Sequence, residues 1–198
     1  MSWIKIIDYN SATGTLKRLY DKIKGADNYI DNILLVHSLR PHSLKGHMAL
    51  YKNVLHHQGN TIPKSFLETL GVYVSYLNKC HYCVDHHFAG LSRLLNDDQR
   101  SQKIWYVLTT ENLHEYFDKK EIALFEYAKK LTLTPGDLNS EAVQKLKDQG
   151  YDDGEILEAN QVISYFNYAN RTVLGLGVNT DGDILGLSPN DDHTEDNW

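Results

Sequence analysis

Apolar residues recur at helical spacing through most of the chain, and the strict alternation of a half-buried strand is scarce. In "TLKRLYDKIKG", Leu16, Leu19 and Ile23 share one face, and Gly25 stands where a helix would close. "NYIDNILLVHSL" is expected to be helical up to Arg40-Pro41, where Pro41 opens the next helix, "PHSLKGHMALYKNVLHH", ended by Gly59-Asn60. "TIPKSFLETLGVYVSYLN" has no charge between Glu68 and Lys79, which predicts a buried helix. Another is predicted from about Cys80 to Leu95, stopped by Asn96-Asp97-Asp98. "DKKEIALFEYAKKLTL" begins with Asp118 three residues before Glu121, a capping pattern, and breaks at Pro135-Gly136. "NSEAVQKLKDQG" is expected to be capped by Ser140 and closed by Gly150. A long last helix should run from Asp152 or Asp153 to about Leu174. The predicted class is all-α.

A short internal echo is visible: "VSYLN" from Val74 resembles "ISYFN" from Ile163, each late in a weakly charged helix. At that offset Cys80 corresponds to Ala169 and Cys83 to Thr172. Two similar helical halves would follow, with thiol chemistry kept in the first.

Composition narrows the function. The net charge of -6 includes Asp191, Asp192, Glu195 and Asp196 at the C-terminus, so the remainder is nearly neutral. Phosphate contacts need a basic face, so no nucleic-acid partner is expected. No 18-residue apolar run is present, so no membrane partner is expected either. "MSWIKIIDYNS" lacks the apolar core of a signal peptide, which makes a cytoplasmic location the expectation. In a reducing compartment, two close cysteines point to redox or metal chemistry rather than a structural staple.

Those two cysteines stand in "KCHYCVDHH", at C-x-x-C spacing. On a helix, Cys80, Cys83, Val84, His87, Leu91 and Leu94 fall on one side, with His86 at its edge and Asp85 opposite. His87 therefore lies within an apolar stripe and needs a partner, for which Glu68 of the preceding helix is the candidate. A carboxylate can fix the tautomer of an imidazole, which can then draw a proton from a thiol. Thiolate attack on a peroxide gives a sulfenic acid, and a second thiol three residues away can convert it to a disulfide. Taken singly, each part has a plainer reading: a satisfied core histidine at His87, a surface carboxylate at Glu68, solvated or capping roles for His81 and His86, and packing roles for Tyr76, Tyr82 and Phe88. A zinc site from Cys80, Cys83, His87 and one further ligand is a third alternative, without a second C-x-x-C or H-x3-5-H to complete it. Haem attachment would need His where Val84 stands.

Taken together, Glu68-x11-Cys80-x2-Cys83-x3-His87 resembles the signature of the alkylhydroperoxidase D-like (AhpD-like) branch of the carboxymuconolactone decarboxylase superfamily. The flanks "HSLRPHSLKGHMALY" and "YFNYANRTVLGLGV" are similar to its peroxidase-related members. The resemblance implies an all-helical AhpD-like fold over residues 28–187, after an N-terminal helical extension (1–27) and before an acidic, flexible tail (188–198). It implies hydroperoxide reduction without a cofactor, regeneration by a dithiol or protein reductant, and assembly into dimers, trimers or hexamers. It makes Cys83 the attacking thiol, Cys80 the more accessible proton donor and resolving thiol, and His87 with Glu68 the proton relay. Better-studied members have a histidine where this chain has Tyr82. The lactone decarboxylases lack the cysteine pair, so decarboxylation is not implied. A redox-sensing or interaction protein with the same pair is the runner-up reading.

Overall fold

The structure, a computed structural model, describes residues 2–187, and among them every regular element is helical. Nine α-helices follow in order: α1 (Gly14–Ile23), α2 (Asn32–Leu35), α3 (Pro41–Leu55), α4 (Lys64–Leu77), α5 (His81–Leu95), α6 (Asp98–Thr109), α7 (Lys119–Leu133), α8 (Ser140–Asp148) and α9 (Asp153–Leu176). The expected tail, 188–198, lies outside the described residues.

The charge-free run of α4 does what its composition dictates. Ten consecutive residues, Phe66 to Ser75, are buried, because α5, α7 and α9 surround the helix. Gly71 sets how closely α9 approaches: a Cβ there would lie 2.2 Å from the Phe166 ring. The echoed segments meet at this contact. Asn78 donates to the Oδ1 of Asn167, its counterpart in the echo, at 3.0 Å. Around α4 and α9 a large core forms from Leu67, Leu70, Phe125, Val162, Phe166 and their neighbours. A second, smaller core joins α1 to α3 through Leu16, Tyr20, Leu44 and Met48.

The helix boundaries follow local chemistry. Asp118 and Asp152 each close a capping box, with Glu121 and Glu155, and each cap contributes about 1 kcal/mol. α8 is capped by Asn139 rather than Ser140, since the Asn139 side chain accepts from Glu141 N–H. α1 ends one residue before an extended Lys24, so Gly25 is not a left-handed cap. α3 stops at Leu55, short of Gly59. The segment expected as one helix up to Arg40 is a single turn of 3-10 helix, the short α2 and a run of turns. α6 was not anticipated: its polar first turn hides a buried face of Ser101, Ile104, Val107 and Leu108. α9 uses most of its apolar residues within the chain's own core, although Leu157, Tyr168 and Leu174 stay exposed.

Candidate active site

The turn between α4 and α5 places the cysteines. Lys79 takes a left-handed conformation (φ 57°), which lets its N–H reach Tyr76 O at 2.9 Å and the Cys80 N–H reach Ser75 O at 2.9 Å. This is a Schellman closure of α4. Cys80 thereby ends one helix and is the N-cap of the next. Cys83 lies on the first turn of α5, and the two sulfurs are 3.2 Å apart, both as free thiols.

Position gives the two thiols different acidities. Cys80 is held below the ordinary thiol range, chiefly by hydrogen bonding from the Cys83 thiol, against burial and with help from the Cys83 backbone N–H. Unpaired N–H groups at a helix N-terminus favour an anion in this way. Cys83 is pushed well up by its hydrogen bond with Cys80 and by burial, and a thiolate on Cys80 opposes a second charge beside it.

Neither sulfur is on the surface: Cys80 is 0% and Cys83 2% exposed. The expectation that Cys80 is the more accessible therefore fails. A small cavity of about 60 Å³, open to solvent, is lined by Cys83 and not by Cys80. The N-cap position turns Cys80 into a small apolar cluster with Val36, Val173 and Val178, to which Cys83 also belongs on its cavity side.

His87 lines the same cavity one turn beyond Cys83, and its Nδ1 is 2.8 Å from Glu68 Oε2. The structure therefore brings Glu68, Cys83 and His87 to one cavity. Glu68 is buried, which acts to raise its carboxyl, but the His87 charge and hydrogen bond outweigh this and hold it below the usual range. With Nδ1 engaged, Nε2 is the nitrogen left to exchange a proton. The Phe166 ring meets the imidazole edge-on at 4.5 Å and fixes its plane.

Asn170 was not anticipated. It is fully buried on α9, with Oδ1 accepting from Asn78 at 2.9 Å and Nδ2 donating to Ser75 Oγ at 3.0 Å. That commitment turns its N–H groups toward Cys83, where they counter the rise in the thiol. An amide inside the apolar segment "YFNYANRTV" was the available signal.

One more expectation is corrected on the other side of the cavity: His86, expected at the edge of the stripe, is buried. Tyr82 packs as expected, in the cluster with Val36 and Cys80, and its hydroxyl also makes a hydrogen bond. What buries His86 is the segment after α9, residues 179–187, which returns over α5. Asp183 on this strap accepts from Tyr82 Oη at 2.7 Å, lies 3.1 Å from His86 Nε2 and accepts the Asn32 N–H. Gly186 lets the strap lie flat, since a Cβ there would be 2.6 Å from Gly90 N. His81 is exposed, and Tyr76 and Phe88 pack against Trp105, as expected.

The zinc alternative required Cys80, Cys83 and His87 to converge. Among the described residues, the grouping of three such side chains with ligand atoms within 4.8 Å of one another is instead Asp31, His86 and Asp183. His86 and Asp183 already hydrogen-bond to each other, and Asp31 and Asp183 each accept from a tyrosine.

Comparison with known proteins agrees with the fold. No family model matches the chain. The uncharacterized protein YdfG of Bacillus subtilis (strain 168) is 23% identical over 118 residues, 60% of this chain and 78% of that protein. The crystal structure of an alkylhydroperoxidase AhpD core, a peroxidase-related protein from Ralstonia eutropha JMP134, superposes with a TM-score of 0.77 at 18% identity, over 96% of this chain and 98% of the other. A peroxidase-related protein from Silicibacter sp. TM1040 gives 0.71 at 21% identity, over 82% and 83%. The debrominase Bmp8 gives 0.68 at 16% identity, over 90% of each chain. The all-helical arrangement that carries Cys80 and Cys83 is thus the AhpD-like fold, as the sequence resemblance implied.

Proposed function

We propose that the protein is a dithiol peroxidase that reduces hydroperoxides with Cys80 and Cys83. The observation that carries this reading is a pair of sulfurs 3.2 Å apart, one of them at the wall of a cavity shared with a His87–Glu68 pair. The AhpD-like fold supports it.

The chemistry follows from the acidities. Cys80, the more acidic of the two thiols, gives its proton to His87. A peroxide in the cavity meets Cys83, whose proton passes to Cys80 across the 3.2 Å contact. The Cys83 thiolate attacks the distal oxygen, so an S–O bond forms as the O–O bond breaks. The leaving alkoxide takes the His87 proton and departs as alcohol. Cys80 then returns its proton to His87 and attacks the sulfenic sulfur of Cys83. Hydroxide leaves and takes that proton, giving water and a Cys80–Cys83 disulfide. Glu68 stabilises the imidazolium at each stage. A dithiol or protein reductant restores the thiols, and the exposed Leu157, Tyr168 and Leu174 of α9 are the surface on which we place a homo-oligomer.

Likeness to Bmp8, whose structure is known in complex with 2,3,4-tribromopyrrole, favours a second electron acceptor. Protonation of a bromoarene ring carbon, capture of bromine by the Cys83 thiolate and displacement of bromide by Cys80 would lead to the same disulfide.

The test is turnover with dithiothreitol as reductant. Steady consumption of cumene hydroperoxide is expected. Bromide release from tribromopyrrole without peroxide turnover would move the assignment to dehalogenation. Oxidation once, without turnover, would make the pair a redox sensor.

A further inference from the structure

The cavity beside Cys83 carries acid and no fixed base. Asp31 and Glu68 line it, and Asp183 lies immediately behind Tyr82 and His86. Among the described lining residues there is no Lys or Arg. Its imidazoles are His47, His86 and His87. His47 is buried and its pKa is driven down to about 3 by burial and by His37, so it contributes no charge. The remaining two imidazoles sit against carboxylates. Burial pushes the Asp31 carboxyl up and its hydrogen bond from Tyr29 opposes this; with all three carboxylates ionised and both imidazoles protonated the wall is still one charge negative, and a thiolate adds another. Lys64, on the first turn of α4, influences Glu68 only as the weakest of the nearby charges.

We propose that this cavity selects by charge: it admits neutral and cationic electrophiles to Cys83 and excludes anionic ones, with Asp31 as the residue that sets the selection. The inference rests on the reading that the cavity is the route to Cys83.

Asp31 is suited to the role by its place. It comes from the turn before α2, is partly exposed, and its Oδ1 accepts from Tyr29 Oη at 2.8 Å. Glu68 is hydrogen-bonded to His87 and Asp183 to His86, which leaves Asp31 as the lining carboxylate without a basic partner at hydrogen-bond distance. A carboxylate or sulfonate entering the cavity meets like charge and finds no cation to replace its water. An ammonium group finds Asp31. Hydroperoxides with an apolar or amine-bearing body are therefore the expected substrate class, and those with a carboxylate near the peroxide are not.

The test measures thiol modification rather than peroxide turnover. Reduced protein is treated with methanethiosulfonates bearing a trimethylammonium or a sulfonate group, and with iodoacetamide and iodoacetate. Each rate at Cys83, assigned by peptide mass spectrometry, is divided by the rate of the same reagent with 2-mercaptoethanol. The normalised ammonium rate should exceed the sulfonate rate by about tenfold or more, and iodoacetamide should similarly exceed iodoacetate. Asp31→Asn should shrink both ratios several-fold, and Asp31→Glu should keep them. Raising the salt from low to about 0.5 M should also narrow them. Equal normalised rates in the unaltered protein, ratios unmoved by Asp31→Asn, or a Cys83 that reacts with none of the four reagents would overturn the proposal. If Asp31→Asn does not fold, the charge ratio of the unaltered protein and its salt dependence decide. Charge selection without peroxide turnover would discard the peroxidase reading alone, and turnover without charge selection would discard this one.

Discussion

Cys80 and Cys83 are 3.2 Å apart, yet Cys83 borders the open cavity while Cys80 faces an apolar cluster. The sulfur best placed to ionise is therefore not the one a substrate reaches. On this separation rest the proposed roles, Cys80 as the base and resolving thiol and Cys83 as the attacking thiol. In Cys80→Ser the base and the second electron pair are lost together. Peroxide should then leave a sulfenic acid on Cys83, formed more slowly than in the unaltered protein and trappable with dimedone. No adduct on Cys83, with the fold intact by circular dichroism, would remove Cys83 as the attacking thiol, and an adduct on Cys80 in Cys83→Ser would reverse the roles.

Glu68→Gln keeps a hydrogen bond to His87 but removes the charge that stabilises an imidazolium. Peroxide reduction should fall at least tenfold near neutral pH, since general acid–base help is typically worth about 10²–10⁴. The deficit should shrink as the pH rises above the thiol range, where hydroxide makes thiolate without the relay. Rate profiles that overlay from about pH 6 to 9 would remove Glu68 from the site.

Lys79 holds the turn that sets the cysteine pair, in a conformation that costs a non-glycine residue about 1–2 kcal/mol. Lys79→Gly relieves this but frees the unfolded chain, so a net gain of up to about 1 kcal/mol is expected in urea unfolding. The peroxide rate should not change. A loss of stability would mean that the lysine side chain, rather than the turn, is what matters there.

His47 links stability to pH. Its folded pKa is depressed to about 3 from the ordinary 6.5, by burial first and by His37 second. Above about 6.5 it is neutral folded or unfolded, with no penalty. As the pH falls below that, the unfolded chain binds a proton the folded one refuses, and stability drops at up to about 1.4 kcal/mol per pH unit until the folded pKa is reached. Between about pH 7 and 5 the protein should therefore lose about 2 kcal/mol more than His47→Gln does. Equal losses in urea melts would show that His47 titrates normally.

The sequence carried the elements whose signals are local. The charge-free α4, the capping acids Asp118 and Asp152, and Pro41 at the first turn of α3 all act over a few residues. Glu68, Cys83 and His87 were legible as one site because α4 and α5 are consecutive, so their spacing survives folding. Asp183 carried no such signal: it lies 97 residues from His86, in a loop that helical periodicity does not describe. The strap it anchors is also what buries His86, so a wheel drawn for α5 alone ranked His86 and His87 the wrong way round. The segment from Asn28 to Arg40 had a helical pattern, but Asn32 is tied to the strap through Asn179, Asp181 and Asp183, and the chain turns there instead.

Intact-protein mass spectrometry after one equivalent of cumene hydroperoxide tests the central claim most directly. The reduced protein should lose two hydrogens without gaining oxygen, and peptide mapping should place a disulfide between Cys80 and Cys83. Cys83→Ser should show no reaction on the same timescale. A stable oxygen adduct in the unaltered protein, or unaltered thiols after the peroxide is added, would contradict the account.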